Sequence, residues 1–275
     1  MRSGSMLSGS AASLAQAKAE SGRALAAHPD QAARFADELF ALVDALDADP
    51  ALARALTNPN REAGAKRQLV RQAMAGHFGP AVDLAAATAA RRWSRDGDLA
   101  DALELLAFDA ALALTEARRA LEQVEAELFE VDAVLRNHRE LRTALGDPVA
   151  EPPARLRLIE RVFAGAVRAE TMYLLRRLVS HPRGRGLRHS LQHVGDLVAE
   201  RRRRLVAVVT SAAPLAPSQA EALTKALTRS YGRAIQLNVS VDKSVIGGMR
   251  VRVGDEVVDG SLLSRFAELR RELAA

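Results

Sequence analysis

Residues 205–210, Leu-Val-Ala-Val-Val-Thr, decide the fold of the last third of the chain. A short run this rich in valine is typical of a buried strand. Pro214 and Pro217 follow the run and mark its end, since proline cannot continue a strand in the middle of a sheet. The residues before Arg204 place alanine and leucine at helical spacing instead. The sequence therefore changes from helical to mixed α/β structure at this point.

Three further segments downstream have the pattern of strands. Residues 235–241 alternate apolar and polar side chains, and this period of two predicts a half-buried strand. Residues 249–253 repeat the alternation, and Val257-Val258 follows after a short gap. Gly254-Asp255 fills the gap and predicts a two-residue hairpin turn, because glycine tolerates the positive φ that such a turn requires.

Helix signals stand on both sides of these strands. Ser218 and Glu221 have the spacing of a capping box, in which each side chain accepts a backbone N–H at the start of a helix. This helix is predicted to end at Gly232, and Ser261 opens a last helix. The C-terminal segment is therefore predicted to run strand, helix, strand, hairpin, helix.

The first two hundred residues read as helices separated by widely spaced glycine and proline residues. Residues 98–137 contain neither glycine nor proline. That is long for one globular helix, so we expect either a single extended helix that links two bundles or a break without a sequence mark. The fold class predicted for the whole chain is mostly α with a small C-terminal α/β unit.

An internal repeat with an offset of 89 residues lies within the helical part. The segment from Glu38 to Gly76 aligns without a gap with the segment from Glu127 to Gly165. The matched residues of the first segment are Glu38-Leu39-Phe40, Leu46, Leu52, Ala55-Leu56, Pro59, Leu69 and Ala75-Gly76. Similarity at a fixed period indicates a structural unit used twice. We therefore predict that Phe40 and Phe129 occupy equivalent buried positions.

The length of 275 residues fits two or three domains. The repeat and the change at residue 205 predict three segments. Residues 1–105 form a helical bundle that is the first copy of the repeat, and residues 106–204 form a second bundle. Residues 205–275 form the C-terminal α/β domain.

Composition excludes several classes of protein. The chain has no cysteine, which excludes disulfide scaffolds and thiol chemistry. No stretch reaches the roughly 18 apolar residues of a membrane span, and the start of the sequence lacks the apolar segment of a secretory signal. The net charge is +5, which is compatible with nucleic-acid binding, although acids and bases alternate along most helices.

The motifs that could carry chemistry are incomplete. Gly247-Gly248 lacks the helix and the Lys-Ser/Thr ending of a phosphate-binding loop. His189 and His193 have a metal-compatible spacing but lack the glutamate of a His-Glu-x-x-His motif. Asp255 and Glu256 lie at the predicted hairpin tip, where solvated turn residues are the simpler reading. We predict no catalytic, cofactor-binding or metal-binding residues.

An arginine cluster is the best sequence basis for an anion-binding surface. Arg201–Arg204 follows Arg183, Arg185 and Arg188. The aromatic residues that single-strand binders use for stacking are absent from this cluster. Binding to an acidic protein partner explains the cluster better, and a basic helical nucleic-acid-binding protein is the alternative.

The C-terminal motifs resemble those of one known family. Residues 208–215 (VVTSAAPL), Asp242, Ile246-Gly247-Gly248 and residues 253–261 (VGDEVVDGS) are similar in order and spacing to the C-terminal signature of the ATP synthase delta family. This family includes the mitochondrial oligomycin sensitivity conferral protein. Residues 98–204 resemble the family's N-terminal helical bundle. About a hundred extra residues precede it, as in long members from GC-rich bacteria.

The resemblance implies a non-catalytic stator subunit of a rotary F1Fo ATP synthase, without a cofactor. The helical bundle is expected to bind N-terminal helices of the alpha subunits, and the C-terminal segment to bind a b-type stalk subunit. Together with the rest of F1 and Fo, these contacts couple proton-driven rotation to ATP synthesis. The chain would then be peripheral at the cytoplasmic face of the bacterial plasma membrane. The repeat leaves open which copy makes the family's contacts.

Overall fold

The computed structural model describes residues 7–77, 79–147, 149–203, 205–231, 235–242, 245, 249–253 and 256–259. Internal contacts divide the chain into a helical unit, up to Ala199, and a C-terminal unit that begins at Glu200. None of the helices in these described ranges is long and apolar enough to cross a membrane.

The described part of the helical unit contains eleven α-helices. A 3-10 turn, Pro29–Gln31, separates the first two helices. The helices are α1 Ser8–Ala27, α2 Ala32–Ala48, α3 Pro50–Thr57, α4 Ala63–Ala73, α5 Gly79–Ala89, α6 Asp96–Ala117, α7 Leu121–Asn137, α8 Arg139–Gly146, α9 Pro152–Phe163, α10 Ala169–Ser180 and α11 Leu187–Arg203.

The stretch without glycine or proline is broken between α6 and α7. Arg119 has a φ of 55°, in the left-handed region that side chains other than glycine rarely adopt. The N–H of Ala120 then donates to the carbonyl of Thr115 at 3.0 Å, which satisfies one of the last carbonyls of α6. Of the two expectations for residues 98–137, the unmarked break is therefore confirmed.

The first and last residues of the helices also recur with the offset of 89 residues. Helices α7 and α8 begin and end 89 residues after α2 and α3, and α9 begins 89 residues after α4. Gly76 and Gly165, also 89 apart, both have a positive φ, of 85° and 80°. Both follow a helix end, where glycine adopts this conformation without a steric cost.

Helix α6 belongs to both copies of the repeat. It covers the positions 89 residues after α1, and α11 in turn lies within the positions 89 residues after α6. We therefore name α1 to α6 the first copy and α6 to α11 the second copy. The division into residues 1–105, 106–204 and 205–275 stays a prediction, with α6 running through its first boundary.

The two copies share most of their core positions. Pairs that are buried in both copies are Leu39 and Leu128, Leu46 and Leu135, Leu56 and Leu145, and Val70 and Ile159. Even the charged pair Lys66 and Arg155 is buried in both copies. The repeat thus preserves one apolar stripe on each helix.

The predicted equivalence of Phe40 and Phe129 is wrong. Phe40 is 5% exposed, whereas Phe129 is 69% exposed. Phe40 packs edge-to-face on Phe108, with ring centroids 5.1 Å apart, and the guanidinium of Arg177 lies 4.2 Å from its ring centre. In the second copy this face of α7 has no such cover within the described residues, because α7 and α11 leave a cleft beside Phe129.

The C-terminal unit contains a mixed four-stranded sheet and one helix in its described part. Its elements are β1 Leu205–Ser211, α12 Pro217–Tyr231, β2 Ile235–Val241, β3 Met249–Val253 and β4 Glu256–Asp259. The strand order is β2-β1-β3-β4, with β1 parallel to β2 and the other two pairs antiparallel. Val209 and Val251 lie in its core, against which Leu223 and Leu227 of α12 pack. The predicted fold class is confirmed.

The start of α12 differs from the prediction. The helix begins at Pro217, and the side chain of Gln219 accepts the N–H of Ala216 at 2.9 Å. Glu221 instead forms an ion pair with Lys225 at 2.6 Å. The residues that cap the helix are therefore Ala216 and Gln219, which lie before the predicted Ser218 and Glu221 in the sequence. The predicted turn and helix residues Gly232, Gly247-Gly248, Gly254-Asp255 and Ser261 lie outside the described residues.

Candidate helix-binding grooves

Helices α6 and α10 stand apart and leave a groove of about 240 Å³. We name it the α6–α10 groove. Its lining residues are Ala33, Ala111, Leu114, Thr115, Arg118, Ala169, Glu170, Tyr173, Leu174 and Arg176. The middle of the lining is apolar and the rim is charged, which is the pattern of a groove that accepts the apolar face of an amphipathic helix.

The charges on the rim are unequally exposed. The side chains of Arg118 and Arg176 are 54% and 51% exposed, whereas Glu170 is only 9% exposed. Arg118 donates to Glu170 at 3.0 Å. Burial alone would raise the pKa of Glu170, but hydrogen bonds from its own backbone N–H and from Arg118 outweigh burial and lower this pKa. Arg176 in turn pairs with Glu160 at 2.8 Å, so both exposed arginine side chains of the rim are ion-paired.

Helix α10 is held in place by α2 of the first copy. The hydroxyl of Tyr173 donates to Asp37 at 2.7 Å. Arg177 donates twice to Asp44, at 2.7 and 2.8 Å, in the bidentate geometry that fixes orientation as well as distance. Burial raises the pKa of Tyr173, and the hydrogen bond and the negative charge of Asp37 raise it further, so the phenol keeps its proton.

Acidic side chains of α2 and α6 pair with the arginine residues that follow α10. Arg183 pairs with Asp47 at 2.6 Å, with Asp101 at 3.0 Å and with Glu104 at 3.1 Å. Arg185 also pairs with Glu104. The pair with Asp47 joins the second copy to α2 of the first copy, and the other pairs involve α6, which both copies share.

Most of the described arginine side chains of the cluster are therefore paired or buried. In addition to Arg183 and Arg185, Arg188 pairs with Asp132 at 2.7 Å. Arg201 is buried. A nucleic-acid site needs several arginine side chains that are free to replace counterions along the phosphate backbone. The basic nucleic-acid-binding alternative is accordingly not favoured.

The two histidines considered as metal ligands lie on α11. Burial, together with the positive charge of Arg185, lowers the pKa of His193 to about 4. His193 is therefore neutral near pH 7. Across the described ranges, no group of three or more His, Asp or Glu side chains is placed to hold a metal ion.

A second groove, of about 430 Å³, lies between α7 and α11. Sequence reasoning missed it, because Phe129 was expected in the core. Asp132 lies beside Phe129, where it pairs with Arg136 at 3.2 Å and with Arg188 at 2.7 Å. The available signal was the change from Ala36 and Val43 in the first copy to Glu125 and Asp132 in the second, since two acids on one face rarely enter a core.

Comparisons with known proteins agree with this architecture. The family model described as ATP synthase delta (OSCP) subunit matches residues 109–273. A protein of Beutenbergia cavernae named ATP synthase subunit delta is 45% identical over 91% of this chain and 93% of its own length. A protein of the same name from Streptomyces avermitilis is 43% identical over 88% of this chain and 89% of its own length. Another, from Kineococcus radiotolerans, is 40% identical over 96% of both chains.

Comparison with solved structures also gives matches, one of which comes from an ATP synthase. A chain from the mitochondrial ATP synthase hexamer of Toxoplasma gondii is 21% identical, and the match covers 61% of this chain and 95% of that chain. The TM-score of 0.29 is too low to carry an argument.

Proposed function

The chain belongs to the ATP synthase delta (OSCP) family, and we propose that it connects the head of the rotary synthase to the peripheral stalk. The observation that carries this proposal is the similarity over nearly the whole chain to proteins named ATP synthase subunit delta. A connector of this kind keeps the head from turning with the rotor, so that proton-driven rotation is converted into ATP synthesis.

The contact with the head is proposed to be the α6–α10 groove. Its apolar lining and arginine rim suit the apolar face of a helix, and the proposed ligand is the N-terminal helix of an alpha subunit. The C-terminal unit is proposed to bind the b-type stalk subunit. Binding both partners would place the chain at the cytoplasmic face of the bacterial plasma membrane, held there through the complex.

We further propose that the chain itself has no catalytic role within the enzyme complex. The glycine, histidine and carboxylate motifs considered above are each incomplete for phosphate binding, metal binding or acid–base chemistry. Instead of catalytic residues, a connector requires two binding surfaces on one chain and enough internal contacts to resist torque. The ion pairs between the two copies supply such contacts.

Reconstitution tests this function. Membranes depleted of the delta subunit are mixed with the purified chain and with heads that still hydrolyse ATP, and ATP-driven proton pumping is measured. We expect the chain to restore pumping without changing the rate of ATP hydrolysis by the isolated head. Failure to restore pumping, or ATP hydrolysis by the purified chain alone, would contradict the proposal.

A further inference from the structure

We propose that the start of helix α4, in the first copy, binds a phosphate group. The site would combine the backbone N–H groups of the first turn of α4 with the side chains of Arg61, Lys66 and Arg67. It lies apart from both grooves, none of whose lining residues belongs to α4. Its existence does not depend on the connector role, and the equivalent helix of the second copy, α9, lacks most of its parts.

The first turn of α4 leaves its backbone donors open. The helix begins at Ala63 after the N-cap residue Glu62, whose side chain caps no N–H of the turn. Within the described part of the chain, the N–H groups of Ala63, Gly64 and Ala65 donate no hydrogen bond. A Cβ placed on Gly64 would meet no neighbouring side chain within 4 Å among the described residues, so the space beside this turn is open. Open N–H groups and the positive end of the helix dipole together favour an anion.

Lys66 is a buried base without a counter-charge among the described residues. It is 3% exposed and takes part in no ion pair or side-chain hydrogen bond there. Burial lowers the pKa of Lys66, and the positive charge of Arg61 lowers it further. Both effects disfavour the charged ammonium, and an anion close to the two side chains would offset both. Two cations held together with no acid between them therefore point to an anionic ligand.

The side chain of Lys66 points back toward this turn. Helical side chains tilt toward the N-terminus of their own helix, and Lys66 is the fourth residue of α4. Its counterpart by the offset of 89 residues, Arg155, shows where a side chain at this position reaches, because its guanidinium donates to the carbonyl of Asp147 at 3.3 Å. The counterpart of Asp147 is Asn58, at the start of the turn that leads into α4. Lys66 therefore approaches the start of the helix from inside the fold.

Two exposed arginines flank the start of the helix on the solvent side. Arg61 stands two residues before Ala63, and Arg67 lies one turn after Ala63 on the same face of α4. Neither arginine side chain forms an ion pair or a hydrogen bond within the described ranges. Side chains on a helix lean toward its N-terminus, which brings Arg67 toward the first turn. Both guanidinium groups are therefore available to a ligand at this turn.

The number of donors favours phosphate over a carboxylate. Residues 58–72 contain four basic residues and a single acidic one, Glu62. A carboxylate offers two oxygens, whereas a phosphate group offers three or four and carries up to two negative charges near pH 7. Phosphate can therefore accept from the backbone N–H groups, from Lys66 and from the arginines at the same time. Basic side chains together with N–H groups at the start of a helix are common partners of phosphate in proteins.

Helix α9 shows the same fold without the site. It begins with Pro152 and Pro153, the counterparts of Ala63 and Gly64, and proline has no N–H to donate. The buried base alone is kept, as Arg155, and there a backbone carbonyl accepts a hydrogen bond from its guanidinium. The counterparts of the two exposed arginines are uncharged, Ala150 and Leu156. The phosphate site would therefore belong to the first copy alone.

The test is a calorimetric titration of the full-length chain with inorganic phosphate, at an ionic strength kept constant with chloride. Ala63→Pro combined with Gly64→Pro gives α4 the start of α9 and removes two N–H donors. The helix should tolerate both changes, because proline fits the first turn of a helix. The backbone before the helix also suits a following proline, with φ −59° and ψ 144° at Glu62 against −57° and 137° at Glu151.

A second variant, Lys66→Met, removes the buried charge and keeps an unbranched apolar side chain in its place. Arg155→Met is the matched control, because it replaces the equivalent buried base at a helix start that has no phosphate site. Thermal unfolding of each variant, with and without phosphate, provides a second readout. The shift caused by phosphate is compared within each variant, so that a change in basal stability does not affect the result.

We expect phosphate to bind the wild-type chain and to raise its melting temperature. The Kd for phosphate should rise about tenfold or more in the double proline variant and in Lys66→Met, and phosphate should raise the melting temperature of these variants less. Arg155→Met should bind phosphate like wild type. No binding of phosphate by wild type, or an equal loss of binding in Arg155→Met, would overturn the site and leave the connector role untouched.

Parallel titrations with ATP and with acetate identify the source of the anion. Equal affinity for phosphate and ATP would show that a free phosphate group is sufficient, and an ATP Kd at least about tenfold lower would assign the phosphate of a nucleotide. Both results support the site. Acetate binding as tightly as phosphate would overturn the choice of phosphate, because a carboxylate would then satisfy the same donors.

Discussion

At the scale of single residues, two phenylalanines at equivalent positions of a repeat have different surroundings. Phe40 packs against Phe108 and Arg177, whereas Phe129 lines the second groove with the guanidinium of Arg136 5.9 Å from its ring centre. We expect Phe40→Ala to lower the free energy of unfolding by about 3 to 5 kcal/mol, because it removes a ring from a packed core. Phe129→Ala should cost less than about 1 kcal/mol, since most of its ring is already in water. Urea unfolding of both variants measures the difference, and equal losses would contradict the packing described here.

Also at the scale of single residues, the half-buried His193 makes the stability of the fold depend on pH. The pKa of His193 falls from its usual 6.5 to about 4 in the folded chain, chiefly through burial. Because the unfolded chain binds the proton more readily, this histidine contributes stability above pH 6.5 that is lost as the pH falls toward 4.

We therefore expect wild type to lose about 1 kcal/mol more stability than His193→Gln between pH 7 and pH 4.5, after allowance for screening by solvent around a partly exposed ring. Urea unfolding at both pH values gives the comparison. Parallel losses in the two proteins would show that His193 does not have the lowered pKa.

At the scale of elements, the break between α6 and α7 depends on one strained residue. Arg119 has a φ of 55°, which costs a residue other than glycine about 1 to 2 kcal/mol. Arg119→Gly should therefore raise the melting temperature, because glycine adopts this conformation freely. Ala117→Gly, in the last turn of α6, is the control and should lower it. A lower melting temperature for both variants would mean that the Arg119 side chain contributes more than its backbone costs.

At the scale of the whole molecule, the two copies depend on each other because they share α6. Fourteen residues of α6 are buried, which is more than one packing face of a helix can supply. A chain that begins at Asp96 keeps α6 to α11 but loses α2 and the partners Asp44 and Asp47 of Arg177 and Arg183. We expect it to melt at least about 10 °C below the full chain and to bind a hydrophobic dye. An unchanged melting temperature would show that the second copy is independent.

The sequence by itself determined the class of the fold and most of its elements. The alternation at residues 235–241 and the valines at 205–210 specify strands, since a period of two is a local property of the chain. The repeat predicted that the same helices occur twice, and the observed helix boundaries recur with the offset of the sequence repeat. The break at Arg119 could not be chosen over a continuous helix, because no glycine or proline marks it.

Only the tertiary structure decided which helix faces are covered and which grooves stay open. Phe129 follows the same Glu-Leu pair as Phe40, but its burial depends on whether a distant helix packs over it. The same holds for Arg183 and Arg185, whose acidic partners come from α2 and α6. Helical periodicity fixes a stripe of side chains, whereas the packing distance between two stripes depends on the volumes of residues far apart in sequence. For this reason the sequence predicted helices with apolar stripes, and only their packing showed which pairs of helices leave a groove between them.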